Sequence, residues 1–533
     1  MFTKPPGPFF DQMMAAIHYP QPSFQKLSKL MASQKVSQRE SVILSPSPVV
    51  ILSKAKDLGL RLRINSTNGL RILGLFFLMM IVSFPEPIRA AELSPGLTQK
   101  LRALGPEAAV PVIVRLTKPA DLSSLFDLSK RERRISVVKA LRERGEAAEK
   151  PVRAYLKNYP LSKIRSLWII NGLAVTAPAR VIRLLAALPQ VQSLQLDTVL
   201  ALEPTPKLTA GTPEWNLITI QAPALWALGH TGQGVVVANM DTGVDATHPD
   251  LAGRWRGGTN SWFDPNAEHP SPFDAEGHGT QTMGLLVGGD AGGTSIGVAP
   301  GARWIAVKIF NDAGFASASI IHAGFQWLLD PDGNPDTPDA PDIVNNSWGF
   351  PDLVNSCDQE FQPDLQALRA AGIAVVFGGG NASVPAGTPL TSIPPANNPD
   401  ALAVGYTNSS NAIVPDSSRG PSACGGGIYP HLVAPGFGVL TADLNLGLPG
   451  PYTTVFGSSF AGPQAAGVLA LLLSAYPQAS VDDLEQALKN SARDLGVSGP
   501  DNTYGYGLID ALRAYSYLTP YKIYLPLILN GIQ

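Results

Sequence analysis

Two short, almost uninterrupted apolar runs constrain the fold of this chain more than any other feature. The first, Val235–Met240, ends at Asp241, and the second, Ala371–Phe377, leads into Gly378-Gly-Gly-Asn381. Runs of strand length without polar alternation are typical of parallel strands buried on both faces. Because ligands collect beyond the carboxyl ends of such strands, Asp241 is a candidate for a functional site there, and Asn381 follows the second run. The pattern predicts an α/β domain with a mostly parallel sheet.

Two glycine-flanked segments add a histidine and a serine to these candidates. His278 lies in Gly277-His-Gly-Thr280 and begins a predicted helix, whose dipole favours the neutral imidazole that a general base requires. Ser459 lies in Gly457-Ser-Ser-Phe-Ala-Gly-Pro463, before an apolar run to Leu473 that predicts a buried helix. Free N–H groups at the start of such a helix can bind an oxyanion.

Taken singly, each of these residues also has a purely structural interpretation. Asp241 and Asn381 could form turns, His278 could be a core histidine, and Ser459 could be a helix cap. Their order along the chain separates the classes of serine hydrolase. Hydrolases of the α/β type run Ser, Asp, His and chymotrypsin-like enzymes run His, Asp, Ser. The order here, Asp, His, Ser, resembles that of the subtilisin-like serine proteases.

This resemblance implies a role for each of the four residues and a three-layer α/β fold. Ser459 would be the nucleophile, His278 the general base and Asp241 the group that orients the imidazole. The asparagine that matches Asn381 donates its side-chain amide to the oxyanion in this family. The enzymatic rival is a sedolisin-like acid protease, but that class uses Glu where His278 stands.

The segment Ile343-Val-Asn-Asn-Ser-Trp-Gly349 matches the family strand whose backbone pairs with the substrate. The resemblance implies substrate-binding positions in this strand and in the glycine run, namely Ser347, Trp348, Gly349, Gly379 and Gly380. A plain core strand that ends in a turn is the alternative. Trp348, with Glu214-Trp-Asn-Leu217, brings the chain nearest to bacillopeptidase F-like members, and the likeness extends from about residue 214 to about residue 514.

Departures from the family pattern leave every catalytic group in place. The usual Gly-Thr-Ser-Met is Gly-Ser-Ser-Phe here, and the usual Ala-Ala-Gly-Asn is Gly-Gly-Gly-Asn.

The alternative function from another class is that of a non-catalytic secreted binding protein with this fold. Such a protein would be expected to have lost at least one of the four residues. We therefore expect a secreted serine endopeptidase that acts on proteins or peptides.

Charge divides the chain into a basic and an acidic part. From residue 206 onward, 11 Lys and Arg residues stand against 28 Asp and Glu residues, whereas residues 92–205 carry 18 against 10. This asymmetry predicts attraction between the two parts and argues against nucleic-acid binding by the mature enzyme. We predict a small α+β propeptide at residues 92–205, which would assist folding and inhibit the enzyme, and a catalytic domain at 206–516. An independent binding domain is the alternative for residues 92–205.

Within residues 92–205, strands are predicted at Val110–Leu116, from Ser166 through Asn171 to Val175, and at Val191–Leu196, with helices near 130–157 and 180–188. The Pro/Thr-rich stretch 203–213 predicts an exposed linker that can be cleaved.

Residues 1–91 form a leader in which Ile72–Phe84 is a 13-residue apolar core that follows several arginines. This core predicts a secretory signal and no stable membrane anchor. Residues 1–60 are expected to be a gene-model extension or a disordered cytoplasmic one.

The cysteines and an acidic loop suggest further bonds. Cys357 and Cys424 are the only cysteines, and in a secreted chain they favour a disulfide. Asp330-Pro-Asp-Gly-Asn-Pro-Asp-Thr-Pro-Asp339 alternates oxygen ligands of the kind that calcium prefers, although a merely solvated loop is the alternative. No cofactor is expected for catalysis, a structural calcium ion is possible, and a monomer is expected. The apolar tail 517–533 is either an edge strand or a sorting tag.

Overall fold

The predicted site residues lie in a domain that is built around a seven-stranded sheet. We describe a computed structural model for residues 91–159, 161, 164–202, 215–446 and 451–519, all of which belong to the unit Pro87–Gln533. The predicted signal core 72–84, the linker 203–213 and most of the C-terminal tail lie outside these residues. We call residues 91–202 the N-terminal module and residues 215–519 the C-terminal domain.

The N-terminal module is a five-stranded sheet with helices. Its elements are β1 Glu92–Leu93, α1 Pro95–Ala103, β2 Ala109–Leu116, α2 Lys130–Leu156, β3 Ile164–Leu167, β4 Gly172–Pro178, α3 Ala179–Leu185, β5 Val191–Leu196 and β6 Val199–Ala201. The strand order is β1-β5-β2-β4-β3, in which β1 and β5 are parallel and the other pairs antiparallel. Strand β6 is not part of this sheet and pairs instead with a strand of the C-terminal domain.

One predicted strand of the module is wrong. The stretch from Ser166 to Val175 is not continuous, because a 3-10 turn at Trp168–Ile170 separates β3 from β4. Asn171 ends the turn with φ of 50°, a left-handed conformation that asparagine tolerates better than most residues. The dipeptide Asn171-Gly172 is the sequence signal for a reversal that the strand prediction overlooked.

The C-terminal domain is a three-layer α/β structure. Its elements are α4 Trp215–Thr219, α5 Ala222–Ala227, β7 Val236–Asp241, α6 Pro249–Ala252, β8 Trp262–Phe263, α7 His278–Val287, β9 Arg303–Lys308, β10 Phe315–Ser317, α8 Ala318–Leu329, β11 Ile343–Asn346, α9 Gln362–Ala370, β12 Ala374–Gly378, β13 Leu402–Thr407, β14 Leu432–Pro435, β15 Phe437–Ala442, β16 Tyr452–Phe456, α10 Gly462–Ala475, α11 Val481–Ser491 and α12 Ala511–Leu518. The large sheet has the order β14-β13-β12-β11-β7-β9-β8, and each neighbouring pair is parallel. The predicted fold class is confirmed.

Successive side chains of the central strands point to opposite faces of the sheet, because the strands are pleated, and so contribute to two separate hydrophobic cores. On one face, Val237 and Val376 pack with α7, α10, α11 and α12. On the other face, Ala238 and Val375 pack with α8 and α9. This burial on both faces explains why the strands read as continuous apolar runs. Strands β15 and β16 form a separate antiparallel pair beside α7.

The sheet of the N-terminal module lies on helices α8 and α9. Ile113 and Ala174 on its inner face share one buried cluster with Phe325 and Leu365 of those helices. Among the described residues, basic side chains of the module form five ion pairs with acidic side chains of the C-terminal domain. These are Arg115–Glu360, Lys130–Asp342, Arg134–Asp342, Lys139–Asp336 and Arg142–Asp330. These contacts agree with the opposite charges of the two parts of the sequence.

Two further features bear on the sequence predictions. Cys357 and Cys424 form a disulfide, which confirms their predicted pairing. Among the described residues, one helical stretch, Ser458–Ala475, has the length and apolar composition of a membrane span, but 83% of it is buried. This stretch contains α10, which packs in the first core of the sheet, so its apolar character is explained by the fold.

Candidate active site

An aspartate and a histidine meet at the carboxyl end of β7. Asp241 is the last residue of the strand and His278 the first residue of α7, and both are buried. His278 Nδ1 lies 2.8 Å from Asp241 Oδ1. The helix start is held close to the strand end because Gly279 N–H donates to Thr242 Oγ1 at 2.8 Å. A Cβ at Gly279 would lie 2.1 Å from the Gly243 carbonyl oxygen, so only glycine allows this approach.

The pKa of His278 is shifted in the direction opposite to the one expected from the helix dipole alone. Burial by itself lowers the pKa of His278, but the charge and hydrogen bond of Asp241 outweigh it, and the pKa lies above its ordinary value. The carboxylate of Glu276 raises the pKa further, and its Oε2 accepts a hydrogen bond from the His278 backbone N–H at 2.8 Å. Full charges within contact distance therefore decide the direction of the pKa shift, since a helix dipole carries only about half a charge.

Replacing Glu276 with glutamine should move the acid limb of the pH–activity profile of the matured protein to lower pH. Glutamine can still accept the His278 N–H bond, but it removes a negative charge and so lowers the pKa of His278. A general base must be neutral, so a lower pKa extends activity toward acid. The measurement is kcat/KM against pH. The control is Glu268→Gln, a substitution at an exposed position. If the acid limb of Glu276→Gln stays in place or moves to higher pH, the prediction is contradicted.

Ser459 lies at the predicted helix start, but its hydroxyl does not point to the histidine. The residue belongs to a 3-10 turn, Ser458–Phe460, directly before α10. Its Oγ donates to the Ser347 carbonyl oxygen at 3.2 Å, and among the described residues it makes no hydrogen bond to His278. Ser459 and His278 line the same cleft of about 290 Å³. Hydrogen bonds between catalytic groups are often long or poorly aligned until a substrate is bound.

Asn381 is held by its carbonyl end. Its Oδ1 accepts a hydrogen bond from Ser458 N–H at 2.9 Å, and Nδ2 has no hydrogen-bond partner among the described residues. Asn381 lines the cleft beside Ser459. This orientation leaves the Nδ2 amide donor at the cleft, beside Ser459.

Four of the five predicted substrate-binding residues line the cleft, and Gly379 does not. The four are Ser347, Trp348, Gly349 and Gly380. The Trp348 indole nevertheless belongs to the second core, where its Nε1–H donates to the Met240 carbonyl at 2.9 Å. Gly379 is buried behind the cleft wall, where its N–H bonds to the Val404 carbonyl at 2.8 Å.

Sequence reasoning missed a second wall of the cleft. Strand β10 pairs antiparallel with β6 of the N-terminal module, and Leu202 N–H donates to the Gly314 carbonyl at 2.9 Å. Leu200, Ala201 and Leu202 thereby line the same cleft as Ser459. A three-residue strand such as β10 has too little pattern to be recognised from sequence.

One acidic residue of the cleft was also missed. Asp416 lines it, half-exposed, and accepts a hydrogen bond from the buried Tyr406 hydroxyl. Burial and this hydrogen bond raise the pKa of Tyr406 far above its ordinary value. The sequence around Asp416, Val-Pro-Asp-Ser-Ser, reads as a plain turn, so no local signal marks it as part of the site.

The fold and the order of the residues along it are those of the subtilisin-like class of serine peptidases. The subtilase family profile matches residues 232–507. Bacillopeptidase F of Bacillus subtilis (strain 168) is 35% identical over 452 residues, which are 78% of this chain and 31% of that protein. Subtilisin Savinase of Lederbergia lenta is 34% identical over 298 residues, 56% of this chain and 96% of that protein. The chain belongs to the subtilase family.

A third relative agrees with this assignment. Subtilisin E of Bacillus subtilis (strain 168) is 31% identical over 346 residues, 65% of this chain and 81% of that protein. The likeness to bacillopeptidase F that the sequence motifs predicted is confirmed, although the chain spans only 31% of the length of that relative. The class of enzyme, a subtilisin-like serine peptidase, follows from the family.

Proposed function

We propose that this chain is a secreted serine endopeptidase, made as a zymogen, which cleaves peptide bonds through an acyl-enzyme. Ser459 Oγ attacks the carbonyl carbon, and His278 Nε2 takes its proton and later gives it to the leaving amine. Asp241 holds the imidazole through Nδ1, and Asn381 Nδ2 stabilises the oxyanion. The observation that carries the proposal is the buried 2.8 Å contact between Asp241 and His278 in a cleft that also contains Ser459.

The pairing of β6 with β10 supports peptide substrates. Val199–Ala201 is an extended segment that adds a strand to Phe315–Ser317 and reaches the cleft beside the serine. An extended substrate can form the same backbone hydrogen bonds, which are independent of its side chains. Ser347 and Gly349 line the cleft with it and are the proposed second edge for the substrate.

The same pairing supports an inhibitory propeptide. A module whose Leu200–Leu202 segment lines the cleft and pairs with β10 occupies the strand edge that a substrate would use, for as long as the module stays bound. Arg134 strengthens its attachment, because this buried guanidinium donates to the carbonyls of Ala340, Pro341 and Ala371 and pairs with Asp342. An independent binding domain has no reason to place its last strand at the nucleophile, so we assign residues 92–205 as the propeptide.

Ser459→Ala should accumulate with the N-terminal module still covalently attached. The proposed maturation is autocatalytic, so removal of the nucleophile stops cleavage between the module and the C-terminal domain. Intact mass and N-terminal sequencing of the purified protein measure this directly. Ser474→Ala, a change on the same helix α10 that removes only a bond to the Leu471 carbonyl, should process normally. Normal processing of purified Ser459→Ala, with no other protease present, rules out self-cleavage.

Secretion and metal content complete the proposal. The apolar core 72–84 and the Cys357–Cys424 disulfide support export to an oxidising compartment. The proposed chemistry uses side chains alone and needs no cofactor. A structural calcium ion is proposed at the acidic loop 330–339, where Asp330, Asp332 and Asp339 each offer an oxygen within 4.8 Å of the others.

A further inference from the structure

One carboxylate of the cleft has no part in the proposed chemistry. Among the described residues that line the cleft, Asp416 is the only Asp or Glu, and none is a Lys or Arg. Apart from His278, the other lining residues are apolar, hydroxyl-bearing or amide-bearing, or are glycines. Asp416 therefore supplies a single negative charge in an otherwise neutral wall.

The structure holds this carboxylate in place at one oxygen and leaves the other one open. Asp416 Oδ1 accepts a hydrogen bond from the Tyr406 hydroxyl, and the Asp416 backbone carbonyl accepts one from Ser383 N–H at 3.0 Å. Among the described residues, Oδ2 has no hydrogen-bond partner, and Asp416 forms no ion pair, not even with Arg419 three positions later. Because Asp416 is only half-exposed, water would screen its attraction for a cation less than on an open surface.

The order of the strands places Asp416 on the side of the cleft away from the N-terminal module. In the large sheet, β9 lies near one edge and β13 near the other, with β7, β11 and β12 between them. Strand β10, which pairs with β6 of the module, follows β9 along the chain, whereas Asp416 is bonded to Tyr406 of β13. The module segment Leu200–Leu202 lies before the proposed cleavage point, so the β13 side is left for residues that follow the scissile bond.

We propose that Asp416 selects substrates that carry lysine or arginine within the first two residues after the scissile bond. The proposal rests on the proposed peptidase function and adds the class of substrate. An ammonium or guanidinium group would donate to Oδ2 in a charge-assisted hydrogen bond, while the Tyr406 hydroxyl stays on Oδ1. Ser459 and Asp416 line the same cleft of about 290 Å³, so a long basic side chain near the cut bond is within reach. An acidic side chain at the same place would be repelled.

A lysine scan of one peptide tests this preference on the matured protein. The peptide begins with Val-Leu-Ala-Leu, the sequence of residues 199–202, and continues with four alanines. Lysine, norleucine or glutamate replaces each alanine in turn, and mass spectrometry identifies the bond that is cut. Where the lysine follows the cut bond by one or two residues, kcat/KM should be about tenfold higher than with norleucine, the size expected for one partly exposed charged hydrogen bond. Glutamate there should be cut more slowly than norleucine.

Two variants separate a local contact from the general attraction of an acidic domain for cations. Asp416→Asn keeps an oxygen for the Tyr406 hydroxyl but removes the charge, so the ratio of kcat/KM for lysine over norleucine should fall to about one. Asp352→Asn removes an exposed carboxylate next to Pro351, which lines the cleft, and should keep the ratio of the parent. An unchanged ratio in Asp416→Asn overturns the proposal. An equal fall in both variants, or a preference only for lysine before the cut bond, overturns it as well.

Peptide binding distinguishes failure of this proposal from failure of the peptidase function. Ser459→Ala protein, freed of its module at an inserted site for a sequence-specific protease, binds fluorescent forms of the same peptides without cutting them. Fluorescence anisotropy should give a Kd about tenfold lower for lysine than for norleucine at one or more positions, and the further change Asp416→Asn should remove the difference. Equal Kd values at every position overturn the role of Asp416, even if the parent cuts the peptides. A difference in Kd that depends on Asp416, without any cleavage by the parent, supports this role and overturns the peptidase function alone.

Discussion

Replacing Ser459 with alanine should lower kcat by about 10⁶, a magnitude measured on subtilisin itself. The side chain supplies the only atom proposed to attack the substrate, and alanine cannot form an acyl-enzyme. Because Ser459 is bonded to one backbone carbonyl, at Ser347, its loss should leave the fold unchanged. The measurements are kcat on a chromogenic peptide and covalent labelling by a fluorophosphonate.

Retention of the N-terminal module would mimic this loss of activity, so the comparison needs matured protein in every case. A recognition site for a sequence-specific protease, placed within residues 203–213, allows the module to be removed from each variant in the same way. Ser474→Ala, treated identically, should keep its activity and its labelling. A matured Ser459→Ala protein that still reacts with the fluorophosphonate would show that another residue is the nucleophile.

Asp241→Asn should lower kcat by roughly 10⁴ at neutral pH, the loss found for the equivalent change in a trypsin-like triad. The substitution keeps the shape of a residue that is 1% exposed, but it removes the charge that favours protonated His278. An asparagine amide that donates to Nδ1 would also leave the proton on Nε2, where the base must be free. The measurement is kcat of the matured protein with saturating peptide.

The control for Asp241→Asn is Asp245→Asn, four residues further on. The Asp245 carboxylate caps a turn by accepting from Thr247 and Asn445, and it does not contact the histidine. Its replacement should leave kcat close to that of the parent. If Asp241→Asn loses less than a factor of ten, Asp241 is not the group that orients His278, and the triad assignment is wrong.

Much of the site could be predicted, because short local sequence patterns determine whether a candidate catalytic residue lies at the end of a strand or at the start of a helix. The apolar runs before Asp241 and Asn381 locate two strand ends, since only strands buried on both faces lack polar alternation. Glycines and an apolar run place His278 and Ser459 at helix starts, and both predictions agree with the structure. In each case the signal lies within about fifteen residues of the functional group.

Several features could not be read in this way, because they depend on partners far away in the chain. The pKa of His278 is raised against the effect of burial mainly by Asp241, 37 positions earlier. The Trp348 side chain lies in the second core, where its indole N–H donates to the carbonyl of Met240, 108 positions earlier. Strand β10 acquires its partner from the N-terminal module, whose β6 is more than a hundred residues distant.

The sequence by itself thus determined the α/β class, the strand ends, the helix starts and the identities of the candidate catalytic residues. The fold class, the strand ends and the helix starts follow from burial patterns and backbone preferences, which are local, whereas the resemblance to a family implied the candidate catalytic residues. Only the tertiary structure decided that Ser459 points to Ser347, that Leu200–Leu202 lies in the cleft and that Arg142 neutralises Asp330. Side-chain direction and ion pairing depend on which distant surfaces meet, because hydrophobic burial is not directional and does not specify the polar partners that packing brings together.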